Sequence, residues 1–599
     1  MPNQAPSHPG LRVIPTPPSP GRRAALRLDA AWRLGPRPVS LFIAHRLALA
    51  AGLPARRLRD AAPPAGAFLP GIAPPAPPLP PGSAGRLLEA AGALPARPDW
   101  HGPFDAAAPA LGLDLFRAGD VRPVWERHRF GDVLLLVQAA RLDPAGPHLA
   151  RAEALLRDWS AANPAFRGPA WACGQEAALR ALTLALALAL LDADRGPPAG
   201  ARALLGLLSR RIAATPAYAA AQDNNHAISE PAGAFACALL LGDGRGAARA
   251  ARHLARAVAR LVAPDGGFAQ VSAGYARLAL DTLCLAEWLR RRHAAPAFPE
   301  PLGSRAAALV AWLHRVTAPD GSGAALGVED GSALADLGLH GPGDARGSVE
   351  RAARLFAGST AGSADDPGCA WLGLPCPASR LDRPARWVAT GTMGWAAGAT
   401  ALLRTGPLRF RPAQSDLLHL TLRDGTVVVL RDGGTGSYNP PSPGWWDAIG
   451  AAAAHNAPVF DGRDPMPRAG RFLLARWPRL GVLPDGAWMR DHAGNRTERR
   501  VLATGRTWTI EDRVAGPFRQ AAWHWRLPPG DWHLTADGVE GAPARIAASA
   551  DAPLALHLAE GWESPAYGAL RPVPVLVVTA AAPVSRLLTQ VTLPAGDAP

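Results

Sequence analysis

Q-D-N-N-H-A-I-S-E, residues 222–230, with Pro231 behind it, runs into the apolar, alanine-rich segment Ala232 to Leu241. Asp223 and Asn224 are residue types that cap helices, so the spacing predicts a helix start with two carboxamides, an imidazole and a carboxylate crowded at its mouth. The free N–H groups and positive dipole end of such a mouth favour an anion, and Asn225 is placed to donate an amide hydrogen bond to a carboxylate. Taken alone, capping and buried hydrogen bonding explain the run. A binding role needs support from elsewhere in the chain.

Working outward, the sequence from Asp120 onward reads as helices of about a dozen to twenty residues with short breaks. The predicted helices are Val124 to Arg141, Pro147 to Asn163, Cys173 to Leu191, Ala199 to Ala214, Ala227 to Leu241, Gly246 to Val262, Gly274 to Arg292, Ser304 to Val316 and Ser348 to Ala357. Paired helices with short turns predict an array of αα-hairpins. Near Pro384 the pattern changes to short, alternating runs punctuated by Gly, Asp and Pro, among them Leu417 to Leu422, Arg471 to Trp477, Arg499 to Leu502 and Ala521 to Arg526. That is the pattern of an antiparallel β-sandwich, and the cleft between the two regions is the natural ligand site. Upstream, residues 1 to about 22 read as disordered, Arg22 to Leu58 as one or two basic amphipathic helices, and Gly71 to Gly82 as a stiff polyproline linker.

The chain's 599 residues exceed what one core usually supports. All 63 Lys-plus-Arg residues are arginine, and the net charge is +14. That charge suits a polyanion, but no zinc finger, Arg-rich nucleic-acid motif or base-reading basic helix stands out, so a polyanionic sugar fits as well as DNA. The five cysteines are odd in number and lack CxxC spacing, so no disulfide framework is implied. Met1 to Pro20 shows no basic segment followed by an apolar one, so no standard signal peptide is read. Ser40 to Leu53, broken by His45 and Arg46, is too short for a membrane span.

Further polar clusters stand at Gly266 to Asp281, which holds Tyr275, one of only four tyrosines, with Gln270 and Ser272 upstream. Others are S-D-L-L-H-L-T-L (Ser415 to Leu422), where alternation puts His419 on a strand, L-R-D-G-G-T-G-S-Y-N (Leu430 to Asn439), and H-N-A-P-V-F-D-G-R-D-P-M (His455 to Met466). With D-V-R-P-V-W-E-R-H-R-F (Asp120 to Phe130), W-A-C-G-Q-E-A-A-L-R (Trp171 to Arg180) and the N-N-H run, these stretches resemble the heparinase II/III-like family of polysaccharide lyases, related to alginate and chondroitin AC lyases. The resemblance covers roughly residues 100 to 590. The most specific piece is His455 to Met466, similar to the family's H-N-T-V-x-V-D-G-x-D-Q-M.

The resemblance implies a multidomain α and β architecture, an incomplete (α/α) toroid followed by an antiparallel β-sandwich. It divides the chain into a Pro-rich extension with a basic helix and linker (1–90), a toroid lyase domain (91–380) and a heparinase II/III-like C-terminal sandwich (381–599). It also implies cofactor-free β-elimination on a uronate-containing acidic polysaccharide: loss of the C5 proton, cleavage of the C4–O bond and an unsaturated uronate end. The carbanion adds charge beside a carboxylate, so that carboxylate must first be neutralised. By resemblance Asn225, helped by His226, does this, while Tyr275 and His419 are base and acid in an order set by C5 stereochemistry. Asn224, Glu230, Arg277, Tyr438 and His455 are the expected substrate-facing residues, with Arg277 or His226 favouring the Tyr275 phenolate.

Two positions depart from the family. Ala276 stands where a His commonly follows the Tyr, and Thr421 stands beside Asp432 and His455 where metal-binding relatives have a ligand, so no metal is expected. Trp171, Trp445 and Trp446 are candidate sugar-stacking rings, and Arg463 and Arg471 candidate anion contacts. Two other readings stay open at this point. One is a weakly active or inactive carbohydrate-binding protein of the same fold in exopolysaccharide assembly or export. The other is a glycoside hydrolase, for which Glu230, Glu329 and Asp330 are the candidate acids. By resemblance the compartment is periplasmic, which the lack of a visible signal peptide leaves open against a cytoplasmic one.

Overall fold

The computed structural model describes residues 20–59, 61–95, 98–440, 445 and 448–595. The disorder expected for most of residues 1–22 and the side chain of Trp446 therefore lie outside the described residues. Helices occupy the first part of the chain and antiparallel strands the part from Arg386 to Thr592.

The helix Gly174–Leu190 is the axis of the helical region, because every one of its 17 residues is buried. A helix apolar on all sides can be satisfied only by surrounding it with others. Its few polar side chains are spoken for: Glu176 accepts two bonds from Arg129, both 2.8 Å, and Arg180 donates to the His128 and Ala170 carbonyls at 2.7 and 2.9 Å. The helix His226–Leu240 crosses it at Gly233, where an added Cβ would stand 2.5 Å from the Ala178 Cα and Cβ. Leu241–Asp243 then turn the chain back into Gly244–Leu261, with Gly242 at φ 75° and the Asp243 carboxylate accepting from the Gly246 N–H at 2.8 Å.

The strands form sheets of five, eight and four members and a small hairpin. Arg496–Thr504 and Thr507–Ala515 pair antiparallel from Arg496↔Ala515 to Thr504↔Thr507 and alternate buried with exposed positions, as a sheet with one face on a core requires. That core gathers Trp508 and Val591 from the eight-stranded sheet, Trp523, Trp525 and Leu576 from the four-stranded one, and Leu403 and Leu422 from the five-stranded one.

Several local expectations change. The single helix predicted over Val124 to Arg141 is two, Arg122–Arg127 and Gly131–Leu142, broken at Phe130 with φ 61°. Leu417 to His419 are not strand: Leu418 sits at φ 62° and the strand begins at Leu420, directly after His419. Arg471 to Trp477 supplies one arm of a tight hairpin, Arg468–Gly470 with Leu473–Leu474. The Gly71 to Gly82 stretch is anchored, since the Ala76 N–H donates to the Arg141 carbonyl at 2.9 Å. Phe68, Leu69, Leu87 and Ala91 join the core of the helical region.

Replacing Gly233 with valine forces the central helix apart from the helix His226–Leu240. Overpacking of this kind costs about 1–3 kcal/mol, so Gly233→Val is expected to lower the thermal midpoint in calorimetry. An unchanged midpoint would mean that the close crossing is dispensable.

Candidate active site

Two helix starts meet. Asn225 stands at the N-cap position of His226–Leu240, and Ser272 caps Ala273–Arg292 by accepting from the Tyr275 N–H at 3.1 Å. The tie between them is Gln270, whose side-chain oxygen accepts from the Asn225 N–H at 3.0 Å. Between Gln270 and Ser272, Val271 holds φ 44°, a conformation that costs a β-branched residue of order 1–3 kcal/mol. That turn lets one neighbour serve each helix.

At the first mouth Asn225 is buried at 2% exposure, and its Nδ2 has no hydrogen-bond partner among the described residues. A buried amide donor left unmet costs about 1–3 kcal/mol, so the position calls for an acceptor. Asn224 caps locally, accepting from the His226 N–H at 3.1 Å. Asp223 does not cap: at φ 45° it turns its carboxylate to Arg37 (2.9 Å) and Arg260 (2.6 and 2.7 Å). The His226 Nδ1 lies 3.6 Å from Glu230. Burial opposes a charged imidazole there, but Cys173 and Glu230 outweigh it and push His226 up to about 10. Glu230 reaches the start of Gly174–Leu190, where a Cβ on Gly174 would stand 2.8 Å from the carboxyl carbon.

At the second mouth Tyr275 donates to Asp330 Oδ2 at 3.2 Å and its hydroxyl touches that of Tyr438, which the β region supplies. Arg122 pairs with the same Asp330 oxygen at 3.4 Å. Burial and the Asp330 charge hold the Tyr275 phenol well above its usual range, against the opposing pull of Tyr438 and Arg122. Asp330 itself is lowered, because Arg122 and Arg129 outweigh its burial. Its neighbour Glu329 is pushed up to about 7 by burial and by the Asp330 charge. Behind Tyr438, Tyr567 donates to Asp120 at 2.6 Å and accepts from the Tyr438 N–H at 2.9 Å. Asp120 also accepts from Ser437.

His419 belongs to a third cluster. Its Nδ1 accepts from the Asn456 N–H at 2.9 Å, which leaves the proton on Nε2, 2.9 Å from Thr421 Oγ1 and 3.3 Å from Asp432. His455 Nδ1 lies 2.8 Å from the same Asp432 oxygen, and its Nε2 has no hydrogen-bond partner among the described residues. Burial lowers His419 to about 4, so the ring is neutral near pH 7, while its histidine neighbours bring Asp432 down to about 2 in spite of burial. The sequence argument against a metal rested on Thr421; the structure adds that His419, Asp432 and His455 bring donor atoms within 4.8 Å of one another. This buried His–Asp–His set fits a divalent cation such as zinc. Such an ion would brace the strand after His419 against the segments of Asp432 and His455.

Other expected contacts are redistributed. Arg277 does not serve Tyr275: it donates to Ser348 at 2.9 Å and to the Pro342 carbonyl at 2.8 Å. Trp171 is a core side chain at 1% exposure, unable to stack on a sugar. Trp445 packs edge-on to Trp562 at 5.0 Å. Arg463 pairs with Asp461 at 3.1 Å, and Arg471 bonds the Tyr438 carbonyl and lies 4.6 Å over Phe116. The residues not singled out beforehand are Arg122, Asp120, Tyr567 and Arg411, whose guanidinium donates to Gln222 at 3.2 Å from the β side of the cleft.

Since Asp330 holds the proton on Tyr275, Asp330→Asn is expected to move one tyrosine to a lower ionisation pH. With only four tyrosines in the chain, a spectrophotometric phenolate titration resolves the change. A titration identical to that of the parent protein would remove Asp330 from control of Tyr275.

Comparison with known proteins agrees with this architecture. Residues 380–592 match the family model "Heparinase II/III-like, C-terminal". Among solved structures, a heparinase III is similar at 12% identity and TM-score 0.62, with 94% of this chain and 92% of that one covered. A second, a heparan sulfate lyase from Pedobacter heparinus, is similar at 14% identity and TM-score 0.53, covering 93% and 91%. No curated protein matches by sequence. At these identities the likeness carries the fold. The chain thus shares the fold of these lyases over nearly its whole length, and its residues 380–592 carry the heparinase II/III-like C-terminal domain.

Proposed function

We propose that the protein is a polysaccharide lyase that cleaves a uronate-containing acidic polysaccharide by β-elimination. The observation that carries this reading is the buried, unpartnered Asn225 amide at a helix mouth tied through Gln270 to the mouth that presents Tyr275. A uronate carboxylate seated there would accept from Asn225 Nδ2 and the free N–H groups of the helix start, with the protonated His226 beside it. Neutralised in this way, the carboxylate can take up the charge left when the C5 proton departs.

Tyr275 and His419 carry the proton transfers in this reading. Tyr275, protonated at rest, is suited to give its proton to the leaving C4 oxygen, and Arg122 then stabilises the phenolate left behind. His419 is neutral and so able to accept a proton, but it does so only after its ring exchanges the Asn456 or Thr421 hydrogen bond for the substrate. Tyr438 closes over Tyr275, and Asn224 and Glu230 shape the carboxylate pocket. The two acids expected of a glycosidase fare poorly, because Glu329 and Asp330 are neighbours on one loop and Glu230 is committed to the helix mouth.

Purified protein mixed with hyaluronan, alginate, heparan sulfate and bacterial exopolysaccharides should raise the ultraviolet absorbance of unsaturated uronate with at least one of them. Asn225→Ala and Tyr275→Phe should each lower kcat/KM by about 100-fold or more, the loss typical of removing one preorganised donor or a proton-transfer group. Binding to a polymer without any absorbance rise would replace this reading with that of a carbohydrate-binding protein.

A further inference from the structure

Behind the Asn225 mouth the hairpin of His226–Leu240 and Gly244–Leu261 forms, with the preceding helices, a groove of about 690 Å3. Its floor is built from small side chains, among them Ala220, Ala227, Ala234 and Ala257. Its rim carries three arginines, Arg249, Arg256 and Arg260, with His253 between them, about one turn apart along one helix that itself carries no carboxylate, with Asp243 capping its start. Arg260 is paired with Asp223, but Arg249 and Arg256 are exposed and have no ion-pair or hydrogen-bond partner among the described residues. At a rise of about 1.5 Å per residue, Arg249 to Arg260 spans about 16 Å.

The groove adjoins the candidate active site at one end, since Asp223 and Glu230 line it. Arg260 lies 4.9 Å over the Phe410 ring, and the next residue, Arg411, bonds Gln222 at the start of the Q-D-N-N-H run. Asp223 and Glu230 line the groove while their neighbours Asn225 and His226 form the carboxylate pocket. A floor of alanine methyl groups beside a row of guanidiniums matches a strand of sugars, which offers apolar C–H faces and equatorial carboxylates or sulfates.

We propose that this groove is a second binding site, an exosite that holds the acidic polysaccharide strand as it leaves the cleft. The inference rests on the proposed function for the strand's identity as substrate, whereas binding at the groove is measurable without turnover. In affinity electrophoresis through gels containing hyaluronan, alginate or heparan sulfate, the full-length protein should be retarded by at least one polymer. The double variant Arg249→Glu/Arg256→Glu should bind that polymer about tenfold more weakly, with an unchanged melting curve. Ala234→Trp, which fills the floor without touching the charge, should weaken binding as well.

In turnover, the double variant should raise KM for the polymer about tenfold and leave that for a short oligosaccharide of the same glycan unchanged. Equal retardation of parent and variant, or of no protein by any polymer, would overturn the exosite. So would a KM change shared by polymer and oligosaccharide. Polymer binding that depends on Arg249 and Arg256 in a protein producing no unsaturated uronate would keep the exosite and sink the lyase reading.

Discussion

The hydrogen bond from the Asn225 N–H to the Gln270 side chain is the smallest link on which the site depends. It joins two helices whose starts would otherwise be independent, and the strained Val271 turn beside it allows one short segment to cap Tyr275's helix and anchor Asn225's. The strain is sustained because the surroundings over-determine it: Gly327 and Gly391 both pack closely against Val271, and a Cβ on either would stand within 2.8 Å of it. The result is an anion-seeking donor and a phenol held on rigid elements.

A second set of contacts fixes the β region over those helices. Thr435 accepts from the Glu329 N–H at 2.7 Å, Trp312 donates to Thr392 at 2.9 Å, and Asp265 accepts from the Thr390 N–H at 2.8 Å. Asp120, gathering Tyr567 and Ser437, places Tyr438 against Tyr275. The cleft is thus built from residues 80 to 447 positions apart, and its shape follows from the domain junction.

This explains what the sequence could and could not disclose. Helices with a clear apolar period were readable almost to the residue, as Ala199–Ala214 was, because periodicity is local. Strands such as Ala544–Ala550 and Ala555–Glu563 went unread, since alanine-rich segments carry little strand signal and their alternation only matters once paired. His419 was misplaced by one position because alternation through Ser415 to Leu422 hides the positive φ of Leu418. Asn225, Tyr275 and Tyr438 were legible as polar residues at a motif, but Asp330, 55 residues beyond Tyr275, became its partner only through the fold. Arg277 was an avoidable error: residues two apart on a helix point about 200° apart, so it never faced the Tyr275 hydroxyl.

The protonation pattern sets the remaining constraint on chemistry. At neutral pH Tyr275 and His226 both hold their protons, and His419 is neutral with each ring nitrogen occupied. The resting site is therefore rich in donors and poor in free bases, a state that welcomes an anion and resists proton abstraction until one arrives. Burial first, and the Asp330 charge second, keep Tyr275 on the donor side against the opposing pull of Tyr438 and Arg122. A uronate seated on Asn225 brings a negative charge of its own, which further disfavours a phenolate. On this electrostatic ground the proposed lyase reading matches Tyr275 better to the leaving oxygen than to the C5 proton, and it requires the His419 ring to leave its own hydrogen bonds before it can act as a base.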